Sequence, residues 1–323
     1  MKKAFFKGKI VPFGDAKIGI MTHAFNYGTG VFEGIRGYWN KDKDQMFILK
    51  LKEHYERLQR SALAVNIKII YSLGEMMRYT IELCRENGYK EDVYIRPIAY
   101  KSEEKIGLGL TGIQDDFCMF VAPFGAYLDI SKGISVCISS WRRIPSQSLP
   151  QGAKITGAYI NSSLAKAEAL ENGYDEAILL SPEGTVAEGS GENIFLVKKG
   201  KLLTPPIAEI ILPGITRVAL MELAEKELGI ETIERHVTRD ELYEADELFF
   251  CGTGAQISPI IKVDGKNIKD GRVGHITKKL QDIYFKAAKG DDPKYQDWVT
   301  PVYPDVKPAL SADRSGSRSE HRD

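Results

Sequence analysis

The apolar positions of the chain change period along its length. Near the N-terminus, Ala4-Phe5-Phe6 and Ile10-Val11-Pro12-Phe13 flank Gly8-Lys9 and predict a hairpin. A strand is expected at 47–51, after which Tyr55, Leu58, Ala62 and Val65 recur at helical spacing and predict a helix over 52–65. Arg57 falls at the edge of that apolar face, where periodicity alone reads it as a solvated charge. A second helix over 73–86 stops at Asn87-Gly88. Residues 92–100 alternate as a strand, sending Tyr94 and Arg96 to one face and Val93 and Ile95 to the other. A phenol and a guanidinium on one face suit a carboxylate, since both donate to it; the alternative is a face turned to solvent. An apolar strand at 117–122 leads into the turn-rich stretch 123–133, the expected domain boundary.

The second region repeats these signals. It predicts strands at 134–141 and 177–180, a helix over 160–171 closed by Asn172-Gly173, and a hairpin of 194–197 with 201–204 around Lys199-Gly200. A helix begins within Leu212-Pro213-Gly214-Ile215-Thr216-Arg217 and runs to Leu228. A strand at 247–251 enters Gly252-Thr253-Gly254-Ala255-Gln256, followed by an apolar stretch 257–263, an Asp264-Gly265 turn and a helix over 275–288. The start of the 212–228 helix and the 252–256 loop each offer backbone amides to an anion. From Pro304 onward apolar content collapses, and 304–323 is expected to be a disordered tail. The expected organisation is therefore a small domain 1–122, an interdomain loop 123–133, a large domain 134–303 and that tail.

Composition narrows the function classes. Forty-four basic and 44 acidic residues give no net charge, so no long-range field favours nucleic acid or an anionic membrane. Cys84, Cys118, Cys137 and Cys251 form no Cys-x-x-Cys pair and sit in apolar company, which reads as buried free thiols in a reducing compartment and no metal site. The basic N-terminus lacks the apolar stretch of a signal peptide, and a cytoplasmic location is expected. Two glycine patterns raise a dinucleotide fold and fail. Gly28-x-Gly30 has its third glycine at 34, one residue late; Gly107-Leu108-Gly109-Leu110-Thr111-Gly112 follows a charged run and no helix follows it.

The chemistry concentrates in Ala153-Lys154-Ile155-Thr156-Gly157-Ala158-Tyr159 and Glu188-Gly189-Ser190-Gly191-Glu192-Asn193. A lysine among small apolar groups keeps part of its population neutral and nucleophilic. A carbonyl cofactor bound to it also needs a phosphate anchor, a carboxylate for a pyridinium proton and a donor to a phenolic oxygen. Arg57, the 214–216 helix start and the 252–254 loop are candidates for the first, Glu188 or Glu192 for the second and Tyr159 for the third.

At these positions the sequence resembles fold type IV pyridoxal-phosphate enzymes, and among them branched-chain amino acid aminotransferases. The motifs are Lys154 with Gly157-Ala158-Tyr159, Glu188 to Asn193, Leu212 to Arg217, Gly252 to Ala255, Phe32-Glu33-Gly34-Ile35-Arg36 and Tyr94-x-Arg96-Pro97. The resemblance implies a two-domain α+β/α/β fold: a small N-terminal α/β domain and a larger C-terminal domain with a barrel-like core flanked by helices. It also implies pyridoxal 5'-phosphate as cofactor. Lys154 would hold it as a Schiff base, Glu188 would face the ring nitrogen and Tyr159 the ring oxygen. Arg57, Gly214, Ile215, Thr216, Gly252 and Thr253 would hold the phosphate. Tyr94 and the 253–255 backbone, Gly254 and Ala255 included, would take the substrate's α-carboxylate. Arg36 and Arg96 would also serve the substrate, Arg96 by accepting the distal carboxylate of glutamate. Phe32, Gly34 and Tyr127 would surround an aliphatic side chain, joined by Tyr27 and Leu108 or Leu110 from a partner subunit, which implies a homodimer.

Two departures touch the substrate rim. This chain has Gly254-Ala255-Gln256 where the family often has Ala-Ala-Glu, and Phe124 where a tryptophan is frequent. The competing readings are a D-amino-acid or amine transaminase of the same fold, an aminodeoxychorismate lyase, and a ligand-binding protein without activity.

Overall fold

The structure, a computed structural model, describes residues 2–304. Apart from Pro304, the expected tail lies outside the described residues. Two sheets organise the rest.

The first sheet has eight strands. Its opening hairpin, Lys3–Phe6 with Lys9–Pro12, turns on Lys7 and Gly8, both at positive φ, the geometry that matches strand twist. The long strand Val93–Lys101 lies between Ile35–Asn40 and Asp115–Pro123 and also pairs with Gly30–Phe32. Helices Leu51–Ala64 and Leu73–Asn87 cover this sheet and share its core of Phe5, Ile35, Met46, Tyr55, Leu58 and Ile95. The first helix starts at Leu51 because Lys50 takes a left-handed turn, with φ 51°, straight out of strand Gln45–Leu49. The second carries a Ser72/Glu75 capping box and ends at Gly88 with φ 63°, the stop the sequence predicts.

The second sheet has nine strands and mixes parallel with antiparallel pairs. Ile134–Arg142 runs parallel to Glu176–Leu180 on one side and to Gln256–Val263 on the other. Glu247–Gly252 and Gln256–Val263 form a hairpin whose tip is Thr253–Ala255. Helices Tyr159–Glu171, Ile215–Leu228 and His275–Ala288 flank the sheet. Glu188 lies on a short strand, Val186–Gly189, with an irregular register.

One strand crosses between the regions. Val299–Pro301 pairs with Phe47–Leu49, so the stretch 134–303 is not confined to the second sheet. A five-residue helix, His23–Tyr27, also went unread, its end being Gly28 at φ 66°. The Gly107–Gly112 pattern sits in a loop with no helix after it. Among the described residues, no helix is long and apolar enough to cross a membrane.

Candidate active site

The lysine segment is clamped where the two regions meet. Lys154 N–H donates to Ser61 Oγ at 3.0 Å, and its carbonyl accepts from Phe32 N–H at 3.1 Å. Beside it Ile155 bridges to Val31, and Thr156 Oγ1 donates to the Gly28 carbonyl at 2.7 Å. A Cβ on Gly28 would fall 2.7 Å from Gly157 Cα, so this contact requires glycine. The Lys154 amine donates to Tyr159 Oη and stands 5.0 Å from the centre of the Phe32 ring. It opens on a cavity of about 920 Å³.

Glu188 lines that cavity and is buried. Its Oε1 is ion-paired with Arg143 Nη2 at 2.9 Å, and its Oε2 accepts from Asn193 Nδ2 at 3.0 Å and Leu212 N–H at 3.2 Å. Burial pushes the carboxyl above its ordinary range, while Arg143, the Leu212 amide and Lys154 pull the other way. Glu192 lines the cavity too, and among the described residues its carboxylate accepts only from the Gly191 N–H, at 3.0 Å. Burial and the nearby Glu176 charge raise it. The two carboxyls of one motif are thus separated by environment.

Arg57 is 4% exposed, and periodicity misplaced it as a solvated charge. The reason lies in another element: Glu33, fully buried, accepts from Arg57 Nε at 2.6 Å and Nη2 at 2.8 Å. Glu33 also accepts from His54 Nδ1 at 2.8 Å, and because a carboxylate only accepts, that nitrogen carries the proton. Burial alone would raise the Glu33 carboxyl, but Arg57 and then His54 hold it well below the usual carboxylate range. Arg57 Nη1 donates to the Pro213 carbonyl at 3.0 Å, and Arg57 lines the cavity next to Gly214, Ile215 and Thr216. Gly214 caps that helix start without any side-chain hydrogen bond, leaving first-turn amides for a ligand. A Cβ on Gly214 would lie 1.9 Å from Asn193 Oδ1.

On the side of the first sheet, Arg96 Nη2 donates to Tyr94 Oη at 2.8 Å, and its guanidinium lies 4.3 Å from the centre of the Phe32 ring. The predicted alternation therefore does put both groups on one cavity-facing side. Gly34 makes room: a Cβ there would be 2.1 Å from Tyr94 Oη. Phe32, Gly34, Tyr127, Gly252, Thr253 and Gly254 complete the predicted set that lines the cavity.

Five predicted residues do not line it. Arg36 is buried, and its two terminal nitrogens donate to the carbonyls of Phe124, Gly125, Thr253 and Gly254 at 2.7–3.4 Å. Its terminal nitrogens hold two loops. Ala255 is buried and packs against the apolar side chains of the second sheet, Ile134, Ile194 and Phe250 among that cluster. Tyr27, Leu108 and Leu110 lie outside this chain's own cavity; Leu108 is 79% exposed, and Tyr27 Oη accepts from Gly107 N–H at 3.2 Å.

Sequence reasoning missed Arg143, Gln151 and Asn193. Asn193 was visible as the end of its motif, since a strand-starting amide beside a buried carboxylate has a ready partner. Arg143 follows Trp141-Arg142 at the end of a strand and reads as exposed charge. Among the described residues, no group of His, Cys, Asp and Glu is arranged to hold a metal ion. Cys84, Cys137 and Cys251 are buried and Cys118 is half-buried.

An amine, a buried carboxylate and an uncapped helix start thus face one cavity. Residues 30–263 match the family described as amino-transferase class IV. The chain belongs to that family. Within it, the chain is 51% identical over 303 residues to a probable branched-chain-amino-acid aminotransferase of Aquifex aeolicus, covering 94% of this chain and 97% of that one. It is 40% identical to the branched-chain-amino-acid aminotransferase of Salmonella typhimurium, covering 92% and 96%. The fold matches a branched-chain aminotransferase from Thermoproteus uzoniensis solved with norvaline, with a TM-score of 0.90 at 44% identity, covering 94% and 99%. It also matches the PLP form of a Thermobaculum terrenum branched-chain amino acid aminotransferase, with a TM-score of 0.90 at 40% identity and the same coverage. The fold is that of the fold type IV aminotransferases, as the sequence resemblance implied.

Proposed function

We propose that this chain is a pyridoxal-phosphate-dependent transaminase that moves an amino group between branched-chain L-amino acids and 2-oxoglutarate. The observation that carries the reading is the convergence of Lys154, Glu188 and the Gly214–Thr216 helix start on one cavity, in a chain whose relatives are branched-chain aminotransferases. The residues fit the cofactor chemically. Glu188 Oε2 already accepts from two donors, while Oε1 has only its Arg143 ion pair among the described residues and keeps a lone pair for a ring N–H. Arg57 and the amides of Ile215 and Thr216 suit a phosphate, and the Lys154 amine suits a carbonyl carbon.

The cofactor supplies an electron sink for the substrate's Cα electrons. The protein supplies the rest. Lys154 takes the Cα proton, with Tyr159 Oη orienting its amine. Tyr94 and the Thr253–Gly254 tip bind the α-carboxylate, and Arg96 receives the distal carboxylate of glutamate. Phe32, Gly34 and Tyr127 enclose an aliphatic side chain. Tyr27 and the Leu108–Leu110 loop serve the partner's site in a cytoplasmic homodimer; the exposure of Phe25, Ile106, Leu108 and Ile160 supports a covered face there.

Amino-donor profiling tests the reading. With 2-oxoglutarate as acceptor, L-leucine, L-isoleucine and L-valine are expected to react and D-alanine or a chiral amine to stay inert. Reaction with D-alanine or the amine alone would overturn it, and release of pyruvate without an acceptor would identify the lyase. Sedimentation of the same holoenzyme as a monomer would remove the shared site.

A further inference from the structure

The Glu188 carboxylate does not reach the cavity unaided. Arg143 continues the strand Ile134–Arg142, anchored by its N–H to the Leu180 carbonyl at 3.0 Å, and its side chain turns into the same cavity. Its Nη2 is ion-paired with Glu188 Oε1 at 2.9 Å and donates a hydrogen bond to Gln151 Oε1, also at 2.9 Å. Gln151, 6% exposed, is held in turn by donating from Nε2 to the Leu149 carbonyl at 3.2 Å. Arg143 Nε is buried with no hydrogen-bond partner among the described residues. A buried guanidinium with an unsatisfied donor is costly, and it persists here only by sharing the charge of Glu188.

We propose that Arg143 is a positioning residue that presents Glu188 Oε1, ionised, to the ring nitrogen of the cofactor, with Gln151 fixing the guanidinium in that orientation. The proposal rests on the functional reading above and extends it to two residues which that reading leaves without a role.

The charge arithmetic favours this arrangement. The ring proton has two homes, the nitrogen or the carboxylate. With the proton on the nitrogen, Arg143 faces an anion at 2.9 Å and a cation beyond it. With the proton on Glu188, Arg143 is a buried cation without a counter-ion. Coulomb energy falls as the inverse of distance, and a donor on the remaining lone pair of Oε1 stands farther from the guanidinium than the oxygen does. Attraction to the carboxylate therefore exceeds repulsion by the ring, and Arg143 keeps the proton on the ring. Removing Arg143 leaves Glu188 under the burial that already raises it, and the proton moves to the carboxylate.

The test uses holoenzyme reconstituted with cofactor labelled with nitrogen-15 at the ring position. The nitrogen-15 resonance of the wild type is expected in the protonated range. In Arg143→Met it is expected to move toward the unprotonated range, with Arg143→Lys restoring most of the wild-type position. Turnover in Arg143→Met should fall by about 10–100-fold, the usual effect of losing an outer partner of a buried ligand group, with KM for leucine changed far less. A wild-type resonance in Arg143→Met carrying full cofactor overturns the proposal. Should that variant fail to fold or to load, Gln151→Leu keeps the ion pair but frees the guanidinium. A smaller displacement in the same direction is then expected, and none at all overturns the proposal. A wild-type chain that takes up no cofactor would instead sink the functional reading itself, and this inference with it.

Discussion

Two buried carboxylate–arginine pairs face the same cavity from opposite sides, and their parts are exchanged. At Glu33–Arg57, on the side of the first sheet, the arginine lines the cavity and the carboxylate stays behind it, accepting from Arg57 twice and from His54 once. At Glu188–Arg143, beside the second sheet, the carboxylate offers its lone pair and the arginine holds it from the flank. The net shifts differ accordingly: Glu33 is held well below the usual carboxylate range, while Glu188 stays above it. Glu33 accepts three hydrogen bonds spread over both oxygens and lies behind the cavity lining, whereas Glu188 accepts two, both on Oε2, lines the cavity, and has only the Arg143 ion pair at Oε1. Which oxygen is left without a hydrogen-bond donor, taken with which carboxylate lines the cavity, therefore separates a supporting carboxylate from a ligand-binding one where sequence and burial do not.

Three substitutions test that contrast. Lys154→Ala removes the base both corners serve and leaves each ion pair in place. Half-reaction rates with leucine should fall by at least the ~10²–10⁴-fold that a positioned base contributes, and near wild-type rates would refute the assignment.

Glu33→Gln comes next. It strands Arg57 as a buried charge, and breaking a pair of this kind costs about 3–5 kcal/mol. Denaturant unfolding of the apo-protein should show that loss together with weaker cofactor binding, whereas a loss under about 1 kcal/mol would mean that Glu33 is not the principal counter-ion. The pH sign is fixed by the direction of the shift. A depressed carboxyl contributes stability that is complete above the unfolded pKa of ~4.3 and fades as pH falls toward the lower folded value. The variant should therefore lose its deficit relative to wild type only in strong acid.

Glu192→Gln should have the smallest effect and the opposite sign. Glu192 is raised and faces Glu176, the Lys166 paired with Glu176, Glu188 and the Gly191 amide. A raised carboxyl favours the fold below the unfolded pKa, and that contribution is lost as pH rises through the folded value. Melting temperatures followed from pH 5 to pH 9 should decline less in the variant; parallel curves would show that Glu192 does not titrate in this window.

The legible part of the chain was the part set by local rules. Alternation placed Tyr94 and Arg96 on one side, and Asn87-Gly88 marked the end of a helix, because strand pleat and left-handed caps are properties of a few consecutive residues. Spacing also brought Lys154, Tyr159 and Glu188 together as candidates, and all three line the cavity. What was not legible depended on partners distant in sequence. Arg57 reads as a surface charge until Glu33 is folded against it, and Arg36 matches a substrate motif although its donors meet four carbonyls from two other loops. Arg143 carries no periodic signal, since it leaves its strand's pattern to reach Glu188 and Gln151.

The strand Val299–Pro301 has a consequence for how the molecule is made. It lies along Phe47–Leu49, Lys50 N–H donates to the Trp298 carbonyl at 2.6 Å, and Tyr303 N–H donates to Gln45 Oε1 at 2.8 Å. That edge of the first sheet is translated early and waits for a strand encoded roughly 250 positions later, about 12–50 s at ordinary elongation rates. Until then Gln45–Leu49 presents an unpaired, apolar edge, the kind of surface that recruits foreign strands. The edge of the first sheet at Phe47–Leu49 is thus closed by a strand from the far end of the described chain.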